Sequence, residues 1–293
     1  MPPIQHEYLT FALLLAREAE RVILSHYRDV TLQWKVDGTE VTEADRAAER
    51  SMRKKIAGQY PDHDILGEEA GGSLISSRRH RWILDPIDGT AWFSLGAPIF
   101  GTLIALLEDN EPIVGVIHMP AVHETVYAAR GSGCWFSARG GRPRQVKVTT
   151  SVALGQATVL ASGAHASDIL PAPGKPLVNL SGIAKAARKF KFYGDCAQHA
   201  LVCRGSAHAA IDTVMHPWDI AAIVPCVEEA GGVVSTLSGD REGIAFAGSL
   251  VTACSSSLLQ EVLETLGATQ ELNHRLTTQS KRAVEPISYR EAL

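Results

Sequence analysis

One short stretch constrains this chain more than any other: Trp82-Ile83-Leu84-Asp85-Pro86-Ile87-Asp88-Gly89-Thr90, an apolar run that ends in carboxylates. It is too short for a helix and reads as a buried strand that carries charge to its own C-terminal mouth. Pro86 stiffens the turn, so that Asp85 and Asp88 can face one point beyond the strand end. Two converging hard oxygen ligands suit Mg²⁺. Gly89 and Thr90 then open the next segment with backbone N–H groups, a natural seat for a phosphate oxygen. Taken alone, Asp-Pro-x-Asp-Gly is also the pattern of an Asx turn whose aspartates bond only backbone.

Around this stretch the periodicity changes along the chain. Residues 6–28 place Leu9, Ala12, Leu13, Ala16, Ala19, Ile23 and Tyr27 at helical spacing, and a second helix runs from Thr42 towards Gly58. Thr42 and Asp45 have the spacing of a capping box. Asp64-Ile65-Leu66-Gly67-Glu68-Glu69 repeats the central strand in miniature, its glutamates reading by themselves as a solvated loop. Arg78-Arg79-His80-Arg81 reads as a solvated loop too. From residue 99 to 148, short β-rich runs separated by turns predict an antiparallel meander. Gly131-x-Gly133 lacks the third glycine of a dinucleotide fingerprint and reads as a turn. Beyond Ser151, extended runs at 157–161, 191–193, 207–214 and 233–237 alternate with helices at 180–189, 196–204 and 218–230, and 250–267 adds a strand and a helix. That alternation argues an α/β layer. The expected division is an N-terminal α+β half (1–150), a C-terminal α/β half (151–267) and a polar tail (268–293).

The totals exclude several classes of function. A net charge of −4 over 293 residues, with no long basic block, gives no reason to bind a nucleic acid polymer. Neither an apolar run of about 18 residues nor a signal pattern is present, which predicts a cytoplasmic protein with no membrane partner. Five scattered cysteines without a Cys-x-x-Cys pair predict buried free thiols in a reducing compartment. No Cys-x₅-Arg loop and no Gly-x-x-x-x-Gly-Lys-[Ser/Thr] loop occurs.

A third stretch completes the set. Met215-His216-Pro217-Trp218-Asp219-Ile220-Ala221-Ala222 opens a helix with an aspartate, which is ordinary dipole compensation and equally a carboxylate placed to reach across a cleft. Gly67-Glu68-Glu69, the stretch from Trp82 to Thr90, and Pro217 to Ala222 followed by Glu229-Ala230-Gly231-Gly232 together resemble the metal-binding signatures of the inositol monophosphatase family. Their order and spacing match from the first helix through about Gly267.

The resemblance implies a layered αβαβα sandwich of the inositol monophosphatase/fructose-1,6-bisphosphatase type, an α/β (α+β) fold, assembled as a homodimer. It implies hydrolysis of a small-molecule phosphate ester with two or three Mg²⁺ per site. By position, Glu68, Asp85 and the Ile87 carbonyl would hold one metal, and Asp85, Asp88 and Asp219 a second. Thr90, bonded to Asp45, would help activate the attacking water. Two cations can stabilise both oxygens of an in-line displacement. Lys35 falls near a position at which the family supports its metal site, on a loop one residue shorter than in the animal enzymes.

Substrate choice is expected where residues face the leaving group. Gly194-Asp195-Cys196, the stretch from Asp212 to Asp219, and Val224 to Gly232 resemble the histidinol-phosphate phosphatase branch. Asp195 or Asp212 could pair with the ammonium of histidinol, with Asp88 and Asp219 beside the same ester. Asp195 also has the position of a helix cap. Inositol monophosphate and nucleotide 3′-phosphates are the rival substrates, and a catalytically silent binding protein is the rival of another class. His216 reaches either the pocket or a structural partner.

Overall fold

The computed structural model describes residues 7–35, 38, 40–76, 78–172 and 177–267. The expected tail, 268–293, and the first residue of the predicted N-terminal helix lie outside them. The apolar spacing of that helix turns one stripe inward: α1 (Glu7–Leu24) buries Leu9, Ala12, Ala16, Ala19 and Ile23. After a short antiparallel pair, β1 (Gln33–Trp34) with β2 (Glu40–Val41), comes α2 (Glu43–Gln59). Its capping box is made: Ala44 N donates to Thr42 Oγ1 at 3.1 Å, and Thr42 N donates to Asp45 Oδ2 at 2.8 Å.

A large sheet follows in sequence order: β3 (Asp64–Gly67), β4 (His80–Asp88), then, after α3 (Thr90–Ser94), β5 (Gly101–Glu108), β6 (Glu111–Met119), β7 (Glu124–Ala129), β8 (Cys134–Ala138) and β9 (Arg144–Val146). β3 runs parallel to β4, and the remaining pairs are antiparallel, which is the predicted meander. Both faces are covered, and this explains the nearly unbroken apolar runs. Trp82, Leu84, Ile104 and Leu106 face α1 and α2. Ile83, Leu103, Ala105 and Ile117 face the opposite way, onto the middle helices.

The second sheet contains β10 (Thr158–Ala161), β11 (Lys189–Phe192) after α4 (Leu180–Ala186), β12 (Ala209–Asp212) after α5 (Asp195–Cys203), and β13 (Val233–Ser235) after α6 (Pro217–Ile220) and α7 (Ile223–Glu229). It is completed by β14 (Leu250–Ala253), which leads into α8 (Ser256–Leu266). The strand order is β11-β10-β12-β14-β13, with mixed pairing. α5, α6 and α7 fill the space between the sheets, and α4 and α8 pack outside the second. The layers therefore read αβαβα, as the resemblance implied.

Local expectations fail at three places. The helix predicted at 218–230 is two helices, because Pro225 has no N–H for residue 221 and sits instead in the first turn of α7. The helix predicted at 180–189 stops at Ala186, and Lys189 already pairs as a strand residue. Arg81, taken for part of a solvated loop, lies in β4 and is buried, while Arg78 and Arg79 do remain exposed. All five cysteines are buried and free, and no described helix is long and apolar enough to cross a membrane.

Candidate active site

In a regular strand, residues three apart point to opposite faces. β4 breaks that rule between Asp85 and Asp88: Asp85 pairs with Leu103 and Asp88 with Gly101, so two residues of β4 oppose one of β5. The bulge falls at Pro86-Ile87, where Pro86 has no ladder N–H to lose and its carbonyl accepts from Thr102 Oγ1 at 2.9 Å. Its result is that Asp85 and Asp88 share a face.

Two further carboxylates arrive from separate elements. β3 is in register with β4, and Glu68 N donates to Leu84 O at 3.1 Å, which sets Glu68 beside Asp85. Asp219, in the first turn of α6, accepts from His216 N at 2.7 Å. Asp85, Asp88 and Asp219 each offer an oxygen within 4.8 Å of the others. Asp85 Oδ1 is buried without a hydrogen-bond partner. Burial and then the neighbouring charges (Glu68 first for Asp85, Asp195 first for Asp88) hold both carboxyls well above their usual range. Burial also pushes Asp219 up to about 7, with Glu68 adding to it and the His216 N–H opposing. Repelling, under-bonded carboxylates with only oxygen donors fit a hard divalent cation. Glu68, Asp85, Asp88, Asp219 and the Ile87 carbonyl would hold it.

Beside this cluster, Thr90 Oγ1 lies 3.0 Å from Ile87 O and 3.4 Å from Asp45 Oδ1. Asp45 is fully buried, and its Oδ2 already accepts from Thr42 N and Thr42 Oγ1, so Oδ1 is the oxygen left for Thr90. One carboxylate thus serves as cap and as partner of Thr90. Burial, against the opposing Thr42 bonds, raises it to about 6. Gly89 has φ +86, and a Cβ there would stand 2.6 Å from Asp195 Oδ2, so only glycine fits this corner.

Asp195 departs from the expectation that it caps α5. Gly194 holds the cap position without a side-chain bond, and Asp195 has φ +45. The oxygen at the N-terminus of α5 is instead Asp88 Oδ2, which accepts from Cys196 N at 2.5 Å. The Asp195 carboxyl turns towards Trp92 and is raised to about 7, by burial first and then by Asp212. Asp212 lines the same cleft, of about 410 Å³, as do His165, His216, Trp92 and Trp218. His216 stacks on Trp218 at 4.9 Å.

Glu69 is not the solvated residue its sequence setting suggested. Its side chain is 6% exposed, and Lys35 Nζ donates to both Glu68 and Glu69 at 2.7 Å. Burial nevertheless lifts Glu69 to about 7. The ammonium of Lys35, which burial alone would weaken, is held above its usual range by the two glutamates. Glu49 is the residue that sequence reasoning missed. It accepts from Glu69 N at 2.7 Å, Ala70 N at 3.1 Å and Arg53 Nε at 2.6 Å, bracing the loop that carries Glu68. Its signal was phase: Glu49 stands in the inward stripe Asp45, Ala48, Met52, Ile56 of α2.

Five αβαβα layers with an acidic cluster at a bulged strand end, a buried Asp–Thr pair beside it and a polar cleft beyond make a site that fits a divalent cation and a phosphate ester. The sequence pattern of the inositol monophosphatase family matches residues 4–276, and the chain belongs to that family of metal-dependent phosphatases. It is 36% identical over 240 residues to a histidinol-phosphatase of Mycobacterium tuberculosis, covering 80% of this chain and 90% of that one. It is 38% identical over 247 residues to a histidinol-phosphatase of Chlorobaculum parvum, covering 84% and 91%. Among solved structures, an IMPase of Thermotoga maritima superposes with TM-score 0.76 at 29% identity, over 89% of this chain and 97% of that one.

Proposed function

We propose that this chain is a Mg²⁺-dependent phosphatase that converts histidinol phosphate to histidinol. The observation that carries the substrate is the pair of half-buried and buried carboxylates, Asp195 and Asp212, in the wall of the same cleft. Mutual repulsion there would be relieved by a cationic leaving group, and an ammonium is the cation such a pair binds. The names of the two bacterial relatives support the same ester.

The mechanism follows from the chain's own groups. Asp85, Asp88 and Asp219 face the phosphoryl group, and Gly89 and Thr90 lie beside it. Two or three Mg²⁺ would supply charge neutralisation of the phosphoryl oxygens and make a nearby water more acidic. The Thr90 oxygen accepts a hydrogen bond from the attacking water and passes its own proton towards Asp45 Oδ1. The Thr42 bonds hold Asp45 still, and its raised pKa suits it to take that proton. Asp195 and Asp212 hold the leaving alcohol's ammonium.

Phosphate release with Mg²⁺ from histidinol phosphate, inositol 1-phosphate and adenosine 3′,5′-bisphosphate tests this, with Asp88→Asn as the blank. The expected kcat/KM advantage for histidinol phosphate is about a hundredfold, near 2.7 kcal/mol of transition-state discrimination. If inositol phosphate leads, the substrate reading fails while the phosphatase assignment remains.

A further inference from the structure

Asp212 ends β12 in the wall of the cleft and is only 5% exposed. Its Oδ1 accepts from the Ser162 hydroxyl. Its Oδ2 accepts from Gln198 Nε2 and from His199 Nε2, both at 2.6 Å. The other ring nitrogen of His199, Nδ1, is 2.9 Å from Thr252 Oγ1 on β14. Gln198, His199 and Thr252 are fully buried and lie behind the cleft wall rather than in it. α5 and β14 therefore clamp the carboxylate from its rear.

A carboxylate offers about four lone-pair positions, and protein donors fill three of these. Little acceptor capacity is left for the hydroxyls of a polyol. What remains towards the cleft is the negative charge, which acts on a cation without needing a lone pair in line. Asp195, beside it, keeps oxygens for direct bonds, with Trp92 as its side-chain donor.

We propose that His199 is the positioning residue that sets leaving-group specificity: it locks Asp212 as a fixed charge, so that the cleft favours an ammonium-bearing alcohol over a neutral polyol. This rests on the reading of the substrate as a cationic ester. It places the discrimination in a buried imidazole that touches neither phosphate nor leaving group.

The test compares wild type, His199→Leu, His199→Gln and Thr252→Val on histidinol phosphate and inositol 1-phosphate at saturating Mg²⁺. In His199→Leu the ratio of kcat/KM values, amine ester over polyol ester, falls about tenfold, through KM and with kcat for the amine ester within twofold. His199→Gln, which can still donate to Asp212, stays within threefold of wild type. Thr252→Val shifts the ratio the same way by a smaller factor, and it carries the test if the His199→Leu chain does not fold. Equal losses on both esters, or an unchanged ratio, overturn the proposal while the cationic-ester reading stands. A wild type with no preference for the amine ester removes that reading and this proposal with it.

Discussion

Carboxylates gathered for a cation should make the metal-free protein less stable as they ionise, and Asp219 is where this can be measured. Its carboxyl is raised to about 7 from an ordinary 3.8, by burial first, and Asp195 to about 7 likewise. Below pH 4 such groups carry a proton in both the folded and the unfolded chain. Between about pH 4 and 7 the unfolded chain releases its protons while the folded one retains them. The folded state then binds more protons, and stability falls as pH rises through that window. One shift of this size is worth roughly 4 kcal/mol at pH 8. Both aspartates keep some solvent contact and share one field, so about 2–4 kcal/mol is the scale for the pair. For a chain of this size that corresponds to roughly 3–7 °C in Tm.

The half-buried imidazoles of His63 and His208, held below their usual range by partial burial first, act in the opposite direction in acid. The comparison is therefore made between chains. Asn at 219 can still accept from His216 N but cannot ionise. In thermal melts with EDTA, Asp219→Asn should melt above wild type by several degrees at pH 8, with the gap shrinking through pH 7 to 4 and nearly closed at pH 4. Mg²⁺ should raise the wild-type Tm at pH 8 and move Asp219→Asn far less. A metal-free Asp219→Asn that melts below wild type at pH 8 would refute the electrostatic account of the cluster.

Three further outcomes follow from single contacts. Asp45→Asn should lower kcat about 10²-fold or more, the usual scale for a lost proton acceptor, while Tm falls by only a few degrees because Asn can keep the bond from Thr42 N. A large Tm loss with unchanged activity per folded molecule would leave Asp45 as a cap alone. Glu49→Gln should weaken Mg²⁺ binding about tenfold in calorimetry, the scale on which outer partners of metal ligands act. An unchanged affinity would show that the Glu68 loop holds itself. Glu229→Ala removes acceptors for Gly131 N and Gly133 N, both at 2.7 Å, and should cost about 1–3 kcal/mol in denaturant unfolding with KM unchanged.

Much of the frame could be read from residue order because it depends on local pattern. The inward stripe of α1, the cap of α2, the meander and the charged end of β4 are all properties of neighbouring residues. The site was legible only in part. Alternation alone would place Asp85 and Asp88 on opposite faces, and the bulge that unites them is a matter of register with β5. Glu49 and Glu69 depend on partners 20 residues apart in the chain. Asp195 stands where a cap belongs, yet the acceptor at the start of α5 comes from residue 88.

That last exchange joins the two halves of the molecule at the chemistry. Asp88 belongs to the bulge of β4 in the first sheet's edge of the cleft, and Cys196 opens the helix that packs beneath the second sheet. Their 2.5 Å bond gives one carboxylate two duties, to satisfy a helix N-terminus and to face the candidate cation. Cys196 Sγ also fills the space at Gly101, where a Cβ would come within 2.4 Å of it. α5 cannot approach or retreat without moving Asp88, and α5 also carries Asp195, Gln198 and His199. A cation drawing on Asp88 and a leaving group drawing on Asp195 and Asp212 therefore act on the same helix, Asp88 and Asp195 both at its N-terminus. Binding of either should order the groups that receive the other, through the first turn of that helix.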